Sequence, residues 1–151
     1  MKRALDIAPG FWLAHCTQAV LDLSDHKADE AIAEMRRGVA LADGTTRPLA
    51  LLGSHLARVG ERDEARAILN QLLVLAKSRY VSPSSIAAVH AALGDVEPAL
   101  DALDQAFLAH DTRLVFLKDD PRLASLRNAP RFLALVHALK LDQFGPGLAP
   151  I

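Results

Sequence analysis

Apolar residues recur at three- and four-residue steps along most of the chain, which is the spacing that places side chains on one face of an α-helix. Glycine, proline and short polar clusters separate these stretches and mark the turns between helices. Two helices are predicted after Pro121 and Pro130, at about 120–127 and 130–141, and residues 1–8 are predicted to end an earlier helix. The pattern predicts an all-α fold whose remaining helices lie at about 11–24, 27–42, 46–59, 62–77, 83–93 and 96–110.

The predicted helices form pairs that repeat along the chain. Ala31, Ala65 and Ala99 are 34 residues apart, and each begins the apolar face of the second helix of a pair. Gly60 and Gly94 keep the same step, and each follows a helical pattern. Because glycine readily adopts the left-handed backbone that ends a helix, these two glycines are predicted C-caps. A period of this length predicts helix pairs stacked side by side, each burying its apolar face against the next.

Small residues occupy matching places in successive pairs. Ala19, Gly53 and Ala87 lie midway along the first helix of each pair, and the three aligned alanines lie near the start of the second helix. A larger side chain at these places would hold neighbouring backbones apart. We therefore expect the helices of each pair to cross closely at these residues.

Polar residues at the predicted helix starts are expected to cap them. Thr46, Ser82 and Asp95 each precede a predicted helix and can accept a hydrogen bond from a free backbone N–H. Asp119 and Asp120 directly precede a proline that begins another predicted helix. A capping role explains this carboxylate pair better than a metal site, because the helix dipole favours negative charge there.

The repeating unit resembles the tetratricopeptide repeat. The segment LALLGSHLARVGERDEARAIL carries the signature positions, and SPSSIAAVHAALGDVEPALDALDQAF matches nearly as well. The first repeat departs from the pattern, with Gln18 where the family prefers leucine and Gly38 where it prefers alanine. The resemblance covers about residues 4–110. It implies one domain, 1–141, which is an α-α superhelix of helix-turn-helix repeats at about 12–45, 46–79 and 80–112, with a capping helix pair at 113–141 and a flexible tail at 142–151.

The C-terminal part is similar to the ends of bacterial multidomain proteins in which such repeats follow a nucleotidyl cyclase, a kinase or a winged-helix domain. The sequence contains none of those catalytic or DNA-reading parts. It opens in the middle of a repeat, since Ala4, Leu5 and Ile7 would pack against a helix that is missing. We therefore expect a fragment of a longer chain, although a lone N-terminal helix that caps the stack explains the same residues.

Composition and charge narrow the class of partner. The chain is 51% hydrophobic and 23% charged, which is typical of a packed domain. Its 17 basic and 18 acidic residues leave no broad positive field, so nucleic acid is not an expected direct partner. The single cysteine, Cys16, excludes an intramolecular disulfide and indicates a reducing compartment, the cytoplasm. No run of eighteen apolar residues is present, and Asp6 and Pro9 interrupt the apolar stretch after Lys2 and Arg3, so neither a membrane span nor a signal peptide is predicted.

Candidate chemistry is sparse. The six histidines show no pairing at the spacing of metal ligands, and His90 is predicted to be a packed core residue. Cys16 follows His15, but adjacent helical residues point in different directions, and no activating partner is identifiable. We therefore predict no catalytic residue, no metal and no cofactor, and the chain is not expected to be an enzyme.

The resemblance implies that the first helix of each pair lines a concave groove that receives a peptide or a helix. Cys16, Val20 and Ser54 stand where carboxylate-clamping members place basic or amide side chains, so that chaperone role is not expected. We predict an apolar partner segment held by burial, with Arg47 and Arg58 at the rim. The alternative is a groove partly filled by the protein's own tail or by a second copy. The predicted lining is Cys16, Val20, Leu23, Arg47, Ala50, Ser54, Ala57, Arg58, Ser84, Ala88 and Ala91.

These observations favour a protein-protein interaction scaffold whose partner is a protein or a peptide. Two alternatives remain open at the level of the sequence. One is a regulatory or sensory C-terminal module of a larger bacterial signalling or transcription-regulating protein. The other is a homo-oligomerisation module, for example of a homodimer.

Overall fold

The computed structural model describes residues 7–25 and 27–143. Within these ranges the chain is all-α and contains no β-strand, which confirms the predicted fold class. His26 and the tail after residue 143 lie outside the described residues. So does most of the predicted N-terminal helix at residues 1–8. The α-helices are α1 (Trp12–Ser24), α2 (Ala28–Ala40), α3 (Arg47–Val59), α4 (Arg62–Leu75), α5 (Pro83–Leu93), α6 (Val96–Leu108) and α7 (Pro130–Ala138).

The region after α6 differs from the prediction. The helix expected at 120–127 is a 3₁₀-helix, Pro121–Leu126, and two further 3₁₀-helices, Thr112–Phe116 and Leu141–Gln143, were not predicted. Asp120 and Ala129 each precede a proline and have extended backbones, with ψ of 112° and 132°. Because a proline disfavours helical backbone in the residue before it, only short turns fit between these points. Residues 111–126 are called the 3₁₀ segment below.

The ends of the helices show which of the predicted caps form. Gly60 and Gly94 end α3 and α5 with φ of 99° and 81°, in the left-handed region, as predicted. Ser82 caps α5 by accepting a hydrogen bond from the backbone N–H of Ser85. The caps predicted at Thr46 and Asp95 are wrong, because neither side chain makes a capping hydrogen bond. Asp95 instead accepts hydrogen bonds from Arg66 and lies 3.4 Å from His90 Nδ1, so a tertiary contact replaces the local one.

Each helix from α1 to α6 packs against the next along the chain, and α3 also packs against α5. The small residues lie at the crossings. Ala19, Ala65 and Ala87 are completely buried. A Cβ atom added at Gly53 would lie 2.8 Å from Ile68 Cγ2 of α4, which is closer than such atoms pack. The expected close approach of the helices is therefore confirmed, whereas a tetratricopeptide-type superhelix remains a prediction.

The buried apolar residues form two clusters that meet at α5. The first cluster lies among α1 to α5, and Ile86, Val89 and Leu93 are the α5 residues that join it. The second lies among α5, α6, the 3₁₀ segment and α7, and Ala88 and Ala91 face it from α5. Phe132 of α7 is 2% exposed within the second cluster. The C-terminal region is thus part of the core.

The buried carboxylate of Asp111 joins the 3₁₀ segment to the start of α5 through hydrogen bonds. Asp111 Oδ2 accepts hydrogen bonds from the hydroxyls of Ser82 and Ser84 at 2.6 and 2.8 Å, and Oδ1 accepts one from the backbone N–H of Arg113. Burial by itself would raise the pKa of Asp111. The hydrogen bonds from Ser82, Arg113 and Ser84 outweigh burial and hold the pKa of this carboxyl below its ordinary value.

Replacing Asp111 with asparagine is expected to lower the free energy of unfolding by about 1.5–3 kcal/mol at neutral pH, because an amide has one acceptor oxygen for the donors that surround it. The pKa of Asp111 is lowered on folding, so the carboxylate's contribution is present above the unfolded pKa of about 3.9 and is lost as the pH falls through the folded pKa. Urea unfolding at neutral and acid pH should show the difference between the two proteins shrinking in acid. The exposed Asp119→Asn is the matched control, and equal effects of both substitutions at neutral pH would contradict the prediction.

Candidate functional site

An open cavity of about 640 Å³ lies between α1, α3 and the 3₁₀ segment. It is called the groove below. The α1 and α3 residues on its walls come from the first helices of the first two predicted pairs. Val20, Leu21 and Phe116 on its walls are 47%, 44% and 62% exposed, so large apolar side chains face water here. The apolar walls consist of Val20, Leu21, Leu23, Leu51, Phe116 and Pro121.

The chain itself covers the third-pair end of the predicted face. The 3₁₀-helix Pro121–Leu126 packs on α5, and Ala88 and Ala91 lie in one apolar cluster with Leu117 and Leu123. This part of the predicted groove is therefore closed. The predicted alternative, a groove partly filled by the protein's own tail, lies outside the described residues after residue 143.

Seven of the predicted lining residues are buried, so their placement on an open surface is corrected. Cys16 Sγ lies 2.9 Å from the Cβ position of Gly38, in the interface between α1 and α2. Ser54 turns back onto its own helix and donates to the carbonyl oxygens of Ala50 and Leu51. Ala50 and Ala57 lie in the first apolar cluster, and the 3₁₀ segment covers Ala88 and Ala91. The buried residues are Cys16, Ala50, Ser54, Ala57, Ser84, Ala88 and Ala91.

Four predicted residues remain accessible. Val20, Leu23 and Arg58 line the groove, and Arg47 lines a neighbouring cavity. The role of the accessible residues in binding stays a prediction.

Burial raises the pKa of the Cys16 thiol, with Arg47 acting in the opposite direction, so the thiol is held in its protonated form.

His15 does not contact Cys16 through its ring nitrogens. Nδ1 lies 2.7 Å from Glu34 Oε2, and Nε2 lies 2.8 Å from the carbonyl oxygen of Pro9. His90 is largely buried, with 14% of its side chain exposed, and approaches Asp95. Both histidines therefore join neighbouring parts of the fold.

His55 is a groove residue that the sequence analysis did not single out. It is 4% exposed, and its Nδ1 donates to the carbonyl oxygen of Leu51 at 2.6 Å. Burial lowers the pKa of His55, and the positive charges of Arg58 and Arg122 lower it further, against the opposing effect of the Leu51 carbonyl. The imidazole is therefore neutral at pH 7, with Nε2 as an acceptor.

The arginines of the groove differ in their partners. Arg122 Nε donates to Asp120 Oδ1 at 2.9 Å, and its Nη2 donates to the second carboxylate oxygen, so this pair is bidentate. Burial would raise the pKa of Asp120, but the hydrogen bonds and charge of Arg122 outweigh burial and lower the pKa. The side chains of Arg58 and Arg113 form no ion pair with any described residue. The groove thus combines apolar walls with two arginines that form no ion pair among the described residues, and Asp119 and Asp120 also line it.

Residues 7–25 and 27–143 contain no group of three or more histidine, cysteine, aspartate or glutamate side chains arranged to hold a metal ion. None of the helices described here has the length and apolar character needed to cross a bilayer. Comparisons with family models, curated proteins and solved structures give no match to this chain.

Proposed function

We propose that the protein is a tetratricopeptide-type interaction scaffold that binds an apolar segment of a partner protein in the groove. The observation that carries this proposal is the meeting of exposed apolar side chains from α1 and the 3₁₀ segment on one open cavity of about 640 Å³. Burying such a side chain contributes about 1.5–3 kcal/mol, so a partner that covers several of them gains useful affinity. Cytoplasmic location and a bacterial source belong to the same proposal.

The sequence repeat supports the family part of the proposal. The 34-residue step and the small residues at the helix crossings are features of tetratricopeptide repeats, and in that family the first helices line the binding surface. Val20, Leu21 and Leu23 of α1 and Leu51 of α3 come from first helices. The 3₁₀ segment limits the groove to the first two pairs, so a short segment fits better than a long helix.

Peptides selected from a random library against the wild-type protein test this function. Val20→Glu, which places a charge on the groove wall, is expected to weaken the selected peptides by about tenfold or more. Val74→Glu is the matched control, because Val74 is 62% exposed in the second helix α4 and does not line the groove. Equal binding by both variants would show that the groove is not the binding surface. Light scattering provides the other check, since a wild-type dimer that Val20→Glu converts to a monomer would identify a second copy as the occupant.

A further inference from the structure

A second cavity, of about 290 Å³, adjoins the groove. Arg47, in the first turn of α3, and Arg113, in the 3₁₀ segment, both line it. Arg113 also lines the groove, so the two cavities share a wall. A ligand that occupies the groove therefore contacts Arg113 and lies beside the cavity that Arg47 lines.

The two guanidinium groups lack partners among residues 7–25 and 27–143. Arg113 contributes only its backbone N–H to a hydrogen bond, and the Arg47 guanidinium carbon lies 6.0 Å from the centre of the Trp12 ring without an ion pair. The nearest carboxylates are engaged elsewhere. Asp111, which lines the same cavity, accepts from Ser82, Ser84 and the backbone, and Asp120 is bound by Arg122. Neither guanidinium thus forms an ion pair within these ranges, although the charges of Asp111 and Asp120 act on Arg113.

The positive charges around Arg113 repel one another, and this repulsion affects the pKa of Arg113. Burial lowers the pKa of Arg113, and the charges of Arg47 and Arg122 lower it further, while Asp120 and Asp111 act against them. An anion placed between Arg47 and Arg113 would relieve this repulsion and form charge-assisted hydrogen bonds to both forks.

Residues with hydroxyl groups also line the second cavity. Thr45, Thr46 and Tyr80 line it, and Thr46 does not use its hydroxyl to cap α3. Burial, together with the nearby charge of Asp111, raises the pKa of Tyr80, so its hydroxyl keeps the proton that it would donate. A carboxylate would bring one charge and two oxygens to these donors. A phosphate group brings up to two charges and three free oxygens, which matches two arginines and several hydroxyls better.

We propose that Arg47 and Arg113 form a binding site for a phosphate-type dianion, carried as a phosphorylated side chain by the same apolar segment that occupies the groove. The origin of the anion rests on the proposed function. The site itself does not, because inorganic phosphate alone must bind to it. The two parts are therefore tested by separate probes.

The first test is an NMR titration of the backbone amides with inorganic phosphate at low, constant ionic strength and mildly alkaline pH. Saturable shifts are expected around Arg47 and Arg113, and acetate is expected to bind about tenfold more weakly. Arg47→Gln and Arg113→Gln should each weaken phosphate binding by about tenfold, whereas Arg127→Gln, which is exposed and lines neither cavity, should leave it unchanged. Since Arg47 is exposed, its substitution tests the site even if Arg113→Gln fails to fold. Absent or unsaturable shifts, equal binding of acetate, or unchanged binding by Arg47→Gln would overturn the site.

The second test compares inorganic phosphate with the blocked tripeptide leucyl-leucyl-phosphoserine and its unphosphorylated form. The phosphorylated tripeptide is expected to bind about tenfold more tightly than either, because it uses the groove and the arginines together. Val20→Ser, which removes the apolar contact without adding a charge, should remove that gain. If the phosphorylated tripeptide binds no more tightly than inorganic phosphate, the shared ligand is refuted and a site for free phosphate is left. If its gain persists in the Val20 variant, the gain does not come from the groove, and the proposed function is contradicted.

Discussion

Replacing Gly53 with leucine is expected to lower the free energy of unfolding by about 3 kcal/mol, as overpacking does in a well-filled core. A Cβ atom at this position would lie 2.8 Å from Ile68 Cγ2 in α4 and 3.5 Å from Val89 Cγ1 in α5. The residue therefore lies where three helices meet. Leucine favours a helix by about 1 kcal/mol relative to glycine, so helix propensity alone predicts the opposite sign.

Urea unfolding of matched variants separates packing from propensity. Ala67→Leu enlarges an exposed position of α4 and should change stability by no more than about 0.5 kcal/mol. Gly53→Ala should be neutral or destabilising in the wild type but stabilising by about 1 kcal/mol in an Ile68→Ala background, where the clashing methyl group is absent. If Gly53→Leu is as mild as Ala67→Leu, the helices do not approach as closely as described.

The repeat helices were predictable because their signals are local. Apolar residues at helical spacing fixed the six helices, and Gly60 and Gly94 marked two of their ends. The small residues carried tertiary information as well, since a glycine or alanine that recurs every 34 residues within an apolar face indicates a close helix crossing. The caps predicted at Thr46 and Asp95 failed because a tertiary partner or the local backbone overrode the short-range preference.

The region after α6 was less predictable because its shape depends on contacts distant in sequence. Asp111 and Asp120 begin 3₁₀ turns by accepting hydrogen bonds from backbone groups two residues ahead, and the same side chains bind Ser82 and Arg122. Nothing in the periodicity indicates that this segment folds over α5. A signal was nevertheless present, since small residues such as Ala88 and Ala91 leave room for a covering element.

Of the twelve residues that line the groove, only three were predicted from the sequence. Val20, Leu23 and Arg58 lie where first-helix residues were expected. Phe116 and Arg113 come from the 3₁₀ segment, for which the repeat pattern offers no register. The register also assigned buried residues such as Cys16 to the surface, because the sequence alone does not fix the rotation of a helix about its axis.

One wall of the groove therefore depends on the second apolar cluster. The 3₁₀ segment carries Phe116 and Arg113 to the groove, and its Leu117 and Leu126 are 1% and 0% exposed beside α5 and α7. Anything that loosens this cluster also loosens the wall. Stability of the C-terminal region and binding in the groove are thus expected to change together.

Replacing Phe132 with alanine tests this dependence and is expected to cost about 3–5 kcal/mol, the usual range for removing a buried phenyl ring. Phe132 is 2% exposed in α7, whereas its neighbour Leu133 is 54% exposed in the same helix. Leu133→Ala is therefore the matched control and should cost less than about 1 kcal/mol. Urea unfolding followed by circular dichroism and by the fluorescence of Trp12, at the far end of the stack, should give one coincident transition for both variants. A small loss for Phe132→Ala, or a C-terminal transition separate from that of Trp12, would mean that α7 and the 3₁₀ segment are not part of one cooperative core.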